Sequence, residues 1–329
     1  MHVVITGGAG FLGRRLSQAL LHRGTLRAAD GRDTRIDRIT LVDMVEAADL
    51  ADPRVVQISG DVADRSVLER AIDRSATSIF HLAAVVSGQA EADFDLGMRV
   101  NLDASRTLLD VCRDAGHRPR VVFTSSVAVY GGALPDLVTD TTPLTPQSSY
   151  GTQKAIAELL IADYTRKGFV DGRVLRLPTI SVRPGRPNAA ASSFASGIIR
   201  EPLNGEEAVC PVDPSTRLWL ASPDTAVGCL IAGHDIASEA LGSNRAVNVP
   251  GLSVTVREMV TSLERVAGPT VAARIRFDRD ARIEKIVGTW PGAWDTSRAR
   301  TLGFPADATF DDLVRAHMAQ LAGTGEPKR

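Results

Sequence analysis

We expect an α/β protein built on a doubly wound parallel sheet, with a smaller C-terminal lobe interleaved with it. Three observations predict this fold class. Short β-branched runs alternate with longer helical patterns, the runs are almost continuously apolar, and the alternation stops near residue 177. Right-handed helical crossovers between parallel strands produce this alternation, and strands covered on both faces need no polar side. The 329 residues, 44% of them hydrophobic, are enough for roughly two packed cores.

The elements follow one another in a regular order along the first half of the chain. Strands are predicted at 3–6, 39–43, 55–59, 78–82, 120–125 and 173–177, and helices at 11–22, 66–73, 92–114 and 150–166. Later helices are predicted near 193–200 and 224–234, and a last strand at 246–249. We assign 1–177, with 221–250 returning to the sheet, to a first domain, and 178–220 with 251–329 to a smaller lobe. The polar stretch 24–37 is expected to be a solvated loop.

Composition excludes several classes of function. The 38 Lys and Arg residues are balanced by 39 Asp and Glu residues, so no broad basic field is available to hold a nucleic acid. Cys112, Cys210 and Cys229 show no disulfide or metal-ligand spacing, and we expect no metal. No apolar run is long enough for a membrane span or a signal peptide, which favours a cytoplasmic protein without a membrane partner.

A glycine-rich turn directly after the first strand predicts a dinucleotide site. At Gly7, Gly10 and Gly13 the first glycine permits a tight turn, the second lets the backbone approach a pyrophosphate, and the third allows close packing of helix on sheet. The free N–H groups at the start of the following helix favour a bound anion. With a strand before it and a helix after it, the turn predicts a Rossmann-type domain.

The acidic end of the second strand indicates which dinucleotide binds. Asp43 can accept hydrogen bonds from the adenosine ribose, and its charge would repel a 2′-phosphate, so NAD is favoured over NADP. Asp61 follows the third strand, where a carboxylate can meet the adenine amino group. Small residues after the fourth strand let the cofactor lie against the strand end. The cofactor contacts predicted from these segments are Gly7, Gly10, Phe11, Leu12, Gly13, Asp43, Asp61, Val62, Leu82, Ala83 and Ala84.

Two segments carry the residue types of an acid–base site. Tyr150 and Lys154 are four residues apart and share one face of a predicted helix. A free tyrosine has a pKa near 10, so a base at neutral pH needs a pKa about 3 units lower. We expect the Lys154 ammonium and an oxidised nicotinamide to lower it. Ser125 and Ser126 end the preceding strand, and one of these hydroxyls would orient a substrate oxygen beside the base.

These motifs resemble those of the extended short-chain dehydrogenases and reductases, the NAD-dependent epimerase/dehydratase family. The resemblance rests on 6–13, Asp43, 61–62, 81–84, Asn101, the Ser-Ser-x-x-x-Tyr-Gly segment at 125–131 and the Tyr150/Lys154 pair. It implies that Tyr150 is the acid/base, that Lys154 holds the nicotinamide ribose, and that Ser126 orients the substrate, with Ser125 as its competitor. It also implies cofactor contacts from Asn101, Tyr150, Lys154 and Pro178, and a homodimer built from the two helices 92–114 and 150–166.

Departures from the nucleotide-sugar members of this family indicate a smaller substrate. Their Arg-x-x-Asn-x-Tyr-Gly-Pro pattern has Thr179 in place of the asparagine, and their Arg-Asp-Tyr-Ile-His pattern keeps only its arginine, Arg217. The stretches 176–185 and 192–203 are similar to the D-erythronate dehydrogenase branch, which implies NAD-dependent oxidation of a short sugar acid to the keto acid. Arg183 and Arg217 would form a guanidinium fork on one carboxylate. The expected substrate contacts are Ser87, Ser126, Tyr150, Thr179, Arg183 and Arg217.

The alternative function is a nucleotide-sugar 4-epimerase or dehydratase. In that use of the same site, NAD stays tightly bound and the hydride returns to the substrate. The two functions differ in whether NADH accumulates.

Overall fold

The computed structural model describes residues 1–185 and 189–323, and its centre is a sheet of seven parallel strands. The strands along the described chain are β1 (His2–Thr6), β2 (Thr25–Arg27), β3 (Asp33–Arg35), β4 (Arg38–Asp43), β5 (Val55–Ser59), β6 (Ala76–His81), β7 (Arg120–Ser126), β8 (Asp171–Leu177), β9 (Thr179–Ile180), β10 (Ala208–Cys210), β11 (Arg217–Ala221), β12 (Ala246–Asn248), β13 (Leu252–Thr255) and β14 (Ile275–Phe277). The order across the central sheet is β12-β8-β7-β6-β1-β4-β5. This sheet confirms the predicted fold class.

Helices cover both faces of this sheet and build most of the C-terminal part. They are α1 (Phe11–Arg23), α2 (Arg65–Ala71), α3 (Ser87–Ala92), α4 (Phe94–Gly97), α5 (Ala104–Ala115), α6 (Ser149–Arg166), α7 (Phe194–Leu203), α8 (Pro223–Asp235), α9 (Ser238–Leu241), α10 (Val256–Ala267), α11 (Pro269–Ala272), α12 (Ala281–Val287), α13 (Ser297–Thr301) and α14 (Phe310–Gly323). Within the described ranges, none is both long and apolar enough to cross a bilayer.

The chain reverses its direction across the sheet at β1. From β1 it runs outward to β4 and β5, then returns to β6 on the other side of β1. Thr6 is level with Val42 on β4 and with His81 on β6, so these three strands end together. In open parallel sheets, ligands bind in the crevice at such a reversal, beyond the carboxyl ends of the strands.

The apolar strands are explained by burial on both faces. On β7, Val121 and Phe123 pack into the cluster under α5 and α6, while Val122 between them packs into the cluster on the opposite face. Successive strand residues point to opposite faces, so a sheet covered twice needs apolar side chains at every position.

The C-terminal part lies over the carboxyl end of the sheet. It contains a three-stranded sheet, β13-β11-β9, a two-stranded sheet, β10-β14, and an apolar core to which α7, α10 and α14 contribute. Trp290 from this part lines the crevice, whereas Trp219 and Trp294 are buried and stack with ring centroids 5.6 Å apart. The division into two domains stays an interpretation.

Two local predictions differ from the structure. The helix predicted at 92–114 is interrupted, because Met98–Asp103 forms a π-helical turn between α4 and α5. Asn101 in this turn is buried, and its side-chain amide exchanges hydrogen bonds of 2.8 and 3.1 Å with the backbone of Val85. A π-helical turn widens the helix by one residue and so re-aims such a side chain. The loop predicted at 24–37 contains the antiparallel hairpin of β2 and β3.

Candidate active site

A cavity of about 690 Å³ opens where the sheet reverses, at the carboxyl ends of β1, β6 and β7. Most of the residues that the sequence predicted to bind cofactor or substrate line it. They are Gly7, Gly10, Phe11, Leu12, Gly13, Asp43, Asp61, Val62, Leu82, Ala83, Ala84, Ser87, Ser126, Tyr150, Lys154, Pro178, Thr179 and Arg183. Asn101 and Arg217 are not brought to the cavity wall.

The glycine turn offers space and hydrogen-bond donors to a pyrophosphate. Gly7 has a φ of +70°, and a Cβ on it would lie 2.8 Å from the backbone N of Ala83. Gly10 is the N-cap residue of α1 and has no side chain that could occupy the N–H groups of the first turn. Its own N–H donates to Gly7 O at 3.1 Å. The N–H groups of Phe11 and Leu12 have no hydrogen-bond partner within the described residues. Open donors at a helix N-terminus fit the pyrophosphate of NAD.

We expect Gly13→Ala to weaken NAD binding by about tenfold or more and to lower the thermal stability. A Cβ at residue 13 would lie 2.1 Å from Gly7 O and 2.8 Å from Gly8 Cα, so α1 would have to move away from the turn. Forcing atoms into such a packed site costs about 1–3 kcal/mol. Titration calorimetry with NAD and thermal unfolding measure the two effects.

Gly197→Ala is the matched control for this substitution. Gly197 also lies in a helix, but a Cβ there would meet nothing closer than 3.5 Å. Its NAD affinity should equal that of the wild type. A Gly13→Ala variant with undiminished NAD affinity would contradict the placement of the pyrophosphate at this turn.

Two carboxylates at the rim of the cavity have different partners. Asp43 accepts hydrogen bonds from the backbone N of Ala9 at 3.0 Å and of Met44 at 2.8 Å, which hold it at the end of β4 in a position that fits the adenosine ribose. Asp61 is paired with the guanidinium of Arg99. Burial opposes ionisation of Asp61, but Arg99 and the nearby backbone hydrogen bond outweigh it and keep the pKa of Asp61 below its usual value.

Tyr150, Lys154 and Ser126 meet where α6 begins and β7 ends. Ser148 caps α6 by accepting a hydrogen bond from the N–H of Gly151 at 3.2 Å, so Tyr150 lies in the first turn and Lys154 in the next. The hydroxyl of Ser126 lies close enough to the phenol of Tyr150 to favour its ionised form. Lys154 Nζ donates to the carbonyl of Thr124 at 2.9 Å and lies 5.8 Å from the centroid of the Tyr150 ring.

The pKa values of this pair differ from the expectation drawn from the sequence. Burial raises the pKa of Tyr150 to about 12, although the nearby hydroxyl of Ser126 and the charge of Arg183 oppose the rise. Burial lowers the pKa of Lys154 to about 7, and the charge of Glu158 opposes this fall. The protein alone therefore does not lower the tyrosine pKa, because desolvation of the phenolate outweighs the neighbouring charges.

The two serines at the end of β7 have different partners. Ser125 donates its hydroxyl hydrogen bond to the carboxylate of Glu158, beneath the cavity. Ser126 accepts a hydrogen bond from the N–H of Ala128 at 3.2 Å, and its hydroxyl favours ionisation of the nearby Tyr150 phenol. Since the Ser125 hydroxyl is already committed, the geometry favours Ser126 as the substrate-orienting residue.

One of the two predicted arginines reaches the cavity. Arg183 lies close enough to Tyr150 for its charge to favour the phenolate, and burial lowers the pKa of Arg183 itself. Its guanidinium has no hydrogen-bond or ion-pair partner within 1–185 and 189–323. The guanidinium of Arg217 lies 3.3 Å from Ser253 O and 3.7 Å from the carboxylate of Glu258. The expected fork of two arginines is therefore not formed, because β11 pairs with β13 away from the cavity.

Asn101 supports the cavity wall from behind. Besides its bonds to Val85, its amide donates to Gln153 Oε1 on α6 at 2.8 Å, so it joins the end of β6 to the helix that carries Tyr150. Ser87 accepts a hydrogen bond from the N–H of Ala191 at 3.1 Å, which ties α3 to the segment over the cavity. Both residues hold the shape of the site.

Sequence reasoning missed a buried polar network beneath the cavity. Glu158 pairs with Arg176 at 2.7 Å, Arg176 donates to the hydroxyl of Tyr130 at 2.6 Å, and that hydroxyl donates to Asn248 Oδ1 at 2.8 Å. The available signal was helical spacing, since Glu158 follows Lys154 by four residues.

Comparison with known proteins agrees with this geometry. The sequence profile of the NAD dependent epimerase/dehydratase family matches residues 3–249. D-erythronate dehydrogenase of Cupriavidus necator is 64% identical over 97% of this chain and 98% of that protein. The Haemophilus influenzae protein of the same name is 47% identical over 96% of this chain and 98% of that protein.

A solved structure shows the same fold over nearly the whole chain. It is described as the nucleoside-diphosphate-sugar epimerase from Agrobacterium tumefaciens, and it matches with a TM-score of 0.91 and 45% identity, over 98% of this chain and 95% of that one. The profile match, the two relatives and the cavity at the switch in strand order agree with one another. The chain belongs to the NAD-dependent epimerase/dehydratase family.

Proposed function

We propose that the protein is an NAD-dependent dehydrogenase that oxidises a hydroxyl of a short sugar acid to the keto acid, with D-erythronate as the leading substrate. The observation that carries the proposal is the guanidinium of Arg183, which has no partner within 1–185 and 189–323, lines the same cavity as Tyr150, and is near enough for its charge to act on the phenol. A guanidinium binds a carboxylate through paired, charge-assisted hydrogen bonds. The two D-erythronate dehydrogenases at 64% and 47% identity support this substrate class.

The residues of the cofactor half fit NAD, the cofactor of the family. The start of α1 would hold the pyrophosphate, Asp43 the adenosine ribose, and Lys154 the nicotinamide ribose. When bound, NAD supplies the acceptor for the hydride that leaves the substrate carbon.

The residues of the substrate half orient the acid and move one proton. Arg183 would bind the carboxylate, and Ser126 would hydrogen-bond the hydroxyl to be oxidised. Tyr150 would exchange the proton of that hydroxyl, because its phenol is the titratable group near Ser126 in the cavity. Ser126 and Arg183 both favour the phenolate, which is the form that accepts the proton.

An absorbance assay for NADH tests the function directly. Purified protein with NAD and D-erythronate should produce NADH, and the rate should depend on the length of the acid when other aldonates are supplied. UDP-glucose and UDP-galactose serve as controls and should neither be interconverted nor reduce NAD. Interconversion of the UDP-sugars, with no NADH from any short acid, would reject the proposal in favour of a 4-epimerase.

Two further expectations stay predictions. A homodimer built on the helices at 92–114 and 150–166 is suggested by the family resemblance, and Leu159 on α6, which is 68% exposed, would lie in its interface. A cytoplasmic location is the other expectation, together with the lack of a nucleic-acid or membrane partner.

A further inference from the structure

Glu158 is a buried acidic residue that the proposed chemistry does not use. It lies on α6, four residues after Lys154 and eight after Tyr150, and only 5% of its surface is exposed. Residues at this spacing lie on one face of a helix. A carboxylate is seldom buried unless paired, so its place under the site needs an explanation.

The contacts of Glu158 join three elements of the site. Its carboxylate accepts the hydrogen bond of Ser125 at the end of β7. It also accepts hydrogen bonds from the guanidinium of Arg176 on β8, whose Nε lies 3.1 Å from both carboxylate oxygens and whose Nη2 lies 2.7 Å from one of them. Arg176 is itself held by the hydroxyl of Tyr130. The carboxylate is therefore fixed in position relative to both β7 and α6.

Lys154 has one acidic neighbour within the part of the chain that the structure describes. On α6 its titratable neighbours are Tyr150 and Glu158, and from β6 it is faced by His81. Burial lowers the pKa of His81 to about 3, so this histidine is uncharged at neutral pH. On β7 the lysine meets the carbonyl of Thr124 and the ring of Phe123, which carry no charge.

We propose that Glu158 is a positioning residue whose buried, Arg176-bound carboxylate supplies the negative charge that keeps Lys154 an ammonium ion and fixes the end of β7 behind Ser126. The inference rests on the proposed role of Lys154 in the cofactor site. Glu158 touches neither the cavity nor its ligands, and it acts through Lys154 and Ser125.

The charge on Lys154 makes the stability of the protein depend on pH. The folded-state pKa of Lys154 is about 7, below its ordinary value of 10.5, so the unfolded chain binds the extra proton between these values and stability rises with pH there. Without the Glu158 charge the folded-state pKa falls further. Below pH 7 the protein without this charge is therefore less stable than the wild type, because Lys154 must lose its proton or be buried as an unpaired charge when the chain folds. The difference in stability between the two proteins vanishes at a pH where Lys154 is neutral in both folded states.

The first test compares urea unfolding of the wild type and Glu158→Gln at pH 6 and pH 8.5. If the substitution lowers the folded-state pKa of Lys154 by roughly one to two further units, it should raise the unfolding equilibrium constant more at pH 6 than at pH 8.5. The difference between the two pH values should be about 5- to 10-fold. In a Lys154→Met background the loss should be equal at both pH values. An equal loss at both pH values with Lys154 present, or a pH-dependent loss without it, would overturn the proposal. This test needs neither NAD nor a substrate, so its result is separate from that of the NADH assay.

Ser125→Ala is the matched control, because it removes the hydrogen bond to Glu158 and keeps the charge. Its loss of stability should not depend on pH. If Glu158→Gln fails to fold, Glu158→Gln combined with Arg176→Met removes both buried charges and avoids an unpaired guanidinium. That double variant should show a pH dependence of the same sign but smaller size, because loss of the Arg176 charge partly offsets loss of the Glu158 charge. An equal loss of stability at both pH values would also overturn the proposal.

The second test measures NAD affinity by calorimetry at pH 7. Glu158→Gln should bind NAD several-fold more weakly than the wild type, because less of its Lys154 is charged. Glu158→Asp keeps the charge and should recover most of the affinity. Wild-type affinity in Glu158→Gln, or no recovery in a folded Glu158→Asp, would count against the positioning role.

Discussion

Tyr150→Phe should reduce the turnover of D-erythronate by about 10²- to 10⁴-fold, the range that positioned acid–base groups contribute. The substitution removes only the phenolic hydroxyl, and the ring that lies beside Lys154 remains. NAD affinity should therefore stay within a few-fold of the wild type. Stopped-flow measurement of NADH formation at saturating NAD, with calorimetry for NAD, separates the two effects.

Tyr164→Phe is the matched control for this prediction. Tyr164 lies on the same helix, and its hydroxyl donates at 2.7 Å to Asp110, away from the cavity. The control should retain full activity. If the Tyr150→Phe variant turned over at the wild-type rate, Tyr150 would have no part in the proton transfer.

Arg183→Met should lower kcat/KM for a short sugar acid by about 30- to 1000-fold. Losing one partner of a desolvated ion pair costs about 2–4 kcal/mol, which corresponds to this range. Methionine keeps the length of the side chain and removes the guanidinium that faces Tyr150. A large part of the loss should be in KM, because the carboxylate is bound before and during hydride transfer.

Arg217→Met provides the control for this prediction. The sequence alone made Arg217 an equal candidate, but its guanidinium lies near Ser253 and Glu258, on the surface. Steady-state kinetics of the two variants on the same acid compare them directly. Equal losses in both would show that the carboxylate is not bound by Arg183.

The residues proposed for the cofactor could be placed in one cavity from the sequence because their placement depends on local spacing. The glycines at 7, 10 and 13 form the turn within one short segment, and Asp43 follows directly from the end of its strand. The pair Tyr150 and Lys154 depends only on the pitch of one helix. In each case residues close in the chain remain close in space, so the pattern is sufficient.

The substrate half could be predicted only in part, because it depends on contacts between distant segments. The sequence made Arg183 and Arg217 equal candidates for the carboxylate, and the pairing of β11 with β13 separates them. Asn101 was placed at the cofactor, but the π-helical turn directs its amide to Val85.

The sequence by itself determined the parallel α/β fold, the glycine turn at the end of β1 and the spacing of the tyrosine–lysine pair, since periodicity and short spacings encode them directly. Only the tertiary structure decided which serine faces the tyrosine, which arginine enters the cavity, and which charges surround Lys154. Those properties arise from burial and from contacts between residues far apart in the chain. Desolvation in particular is a property of the folded packing, and it sets the pKa values of Tyr150 and Lys154.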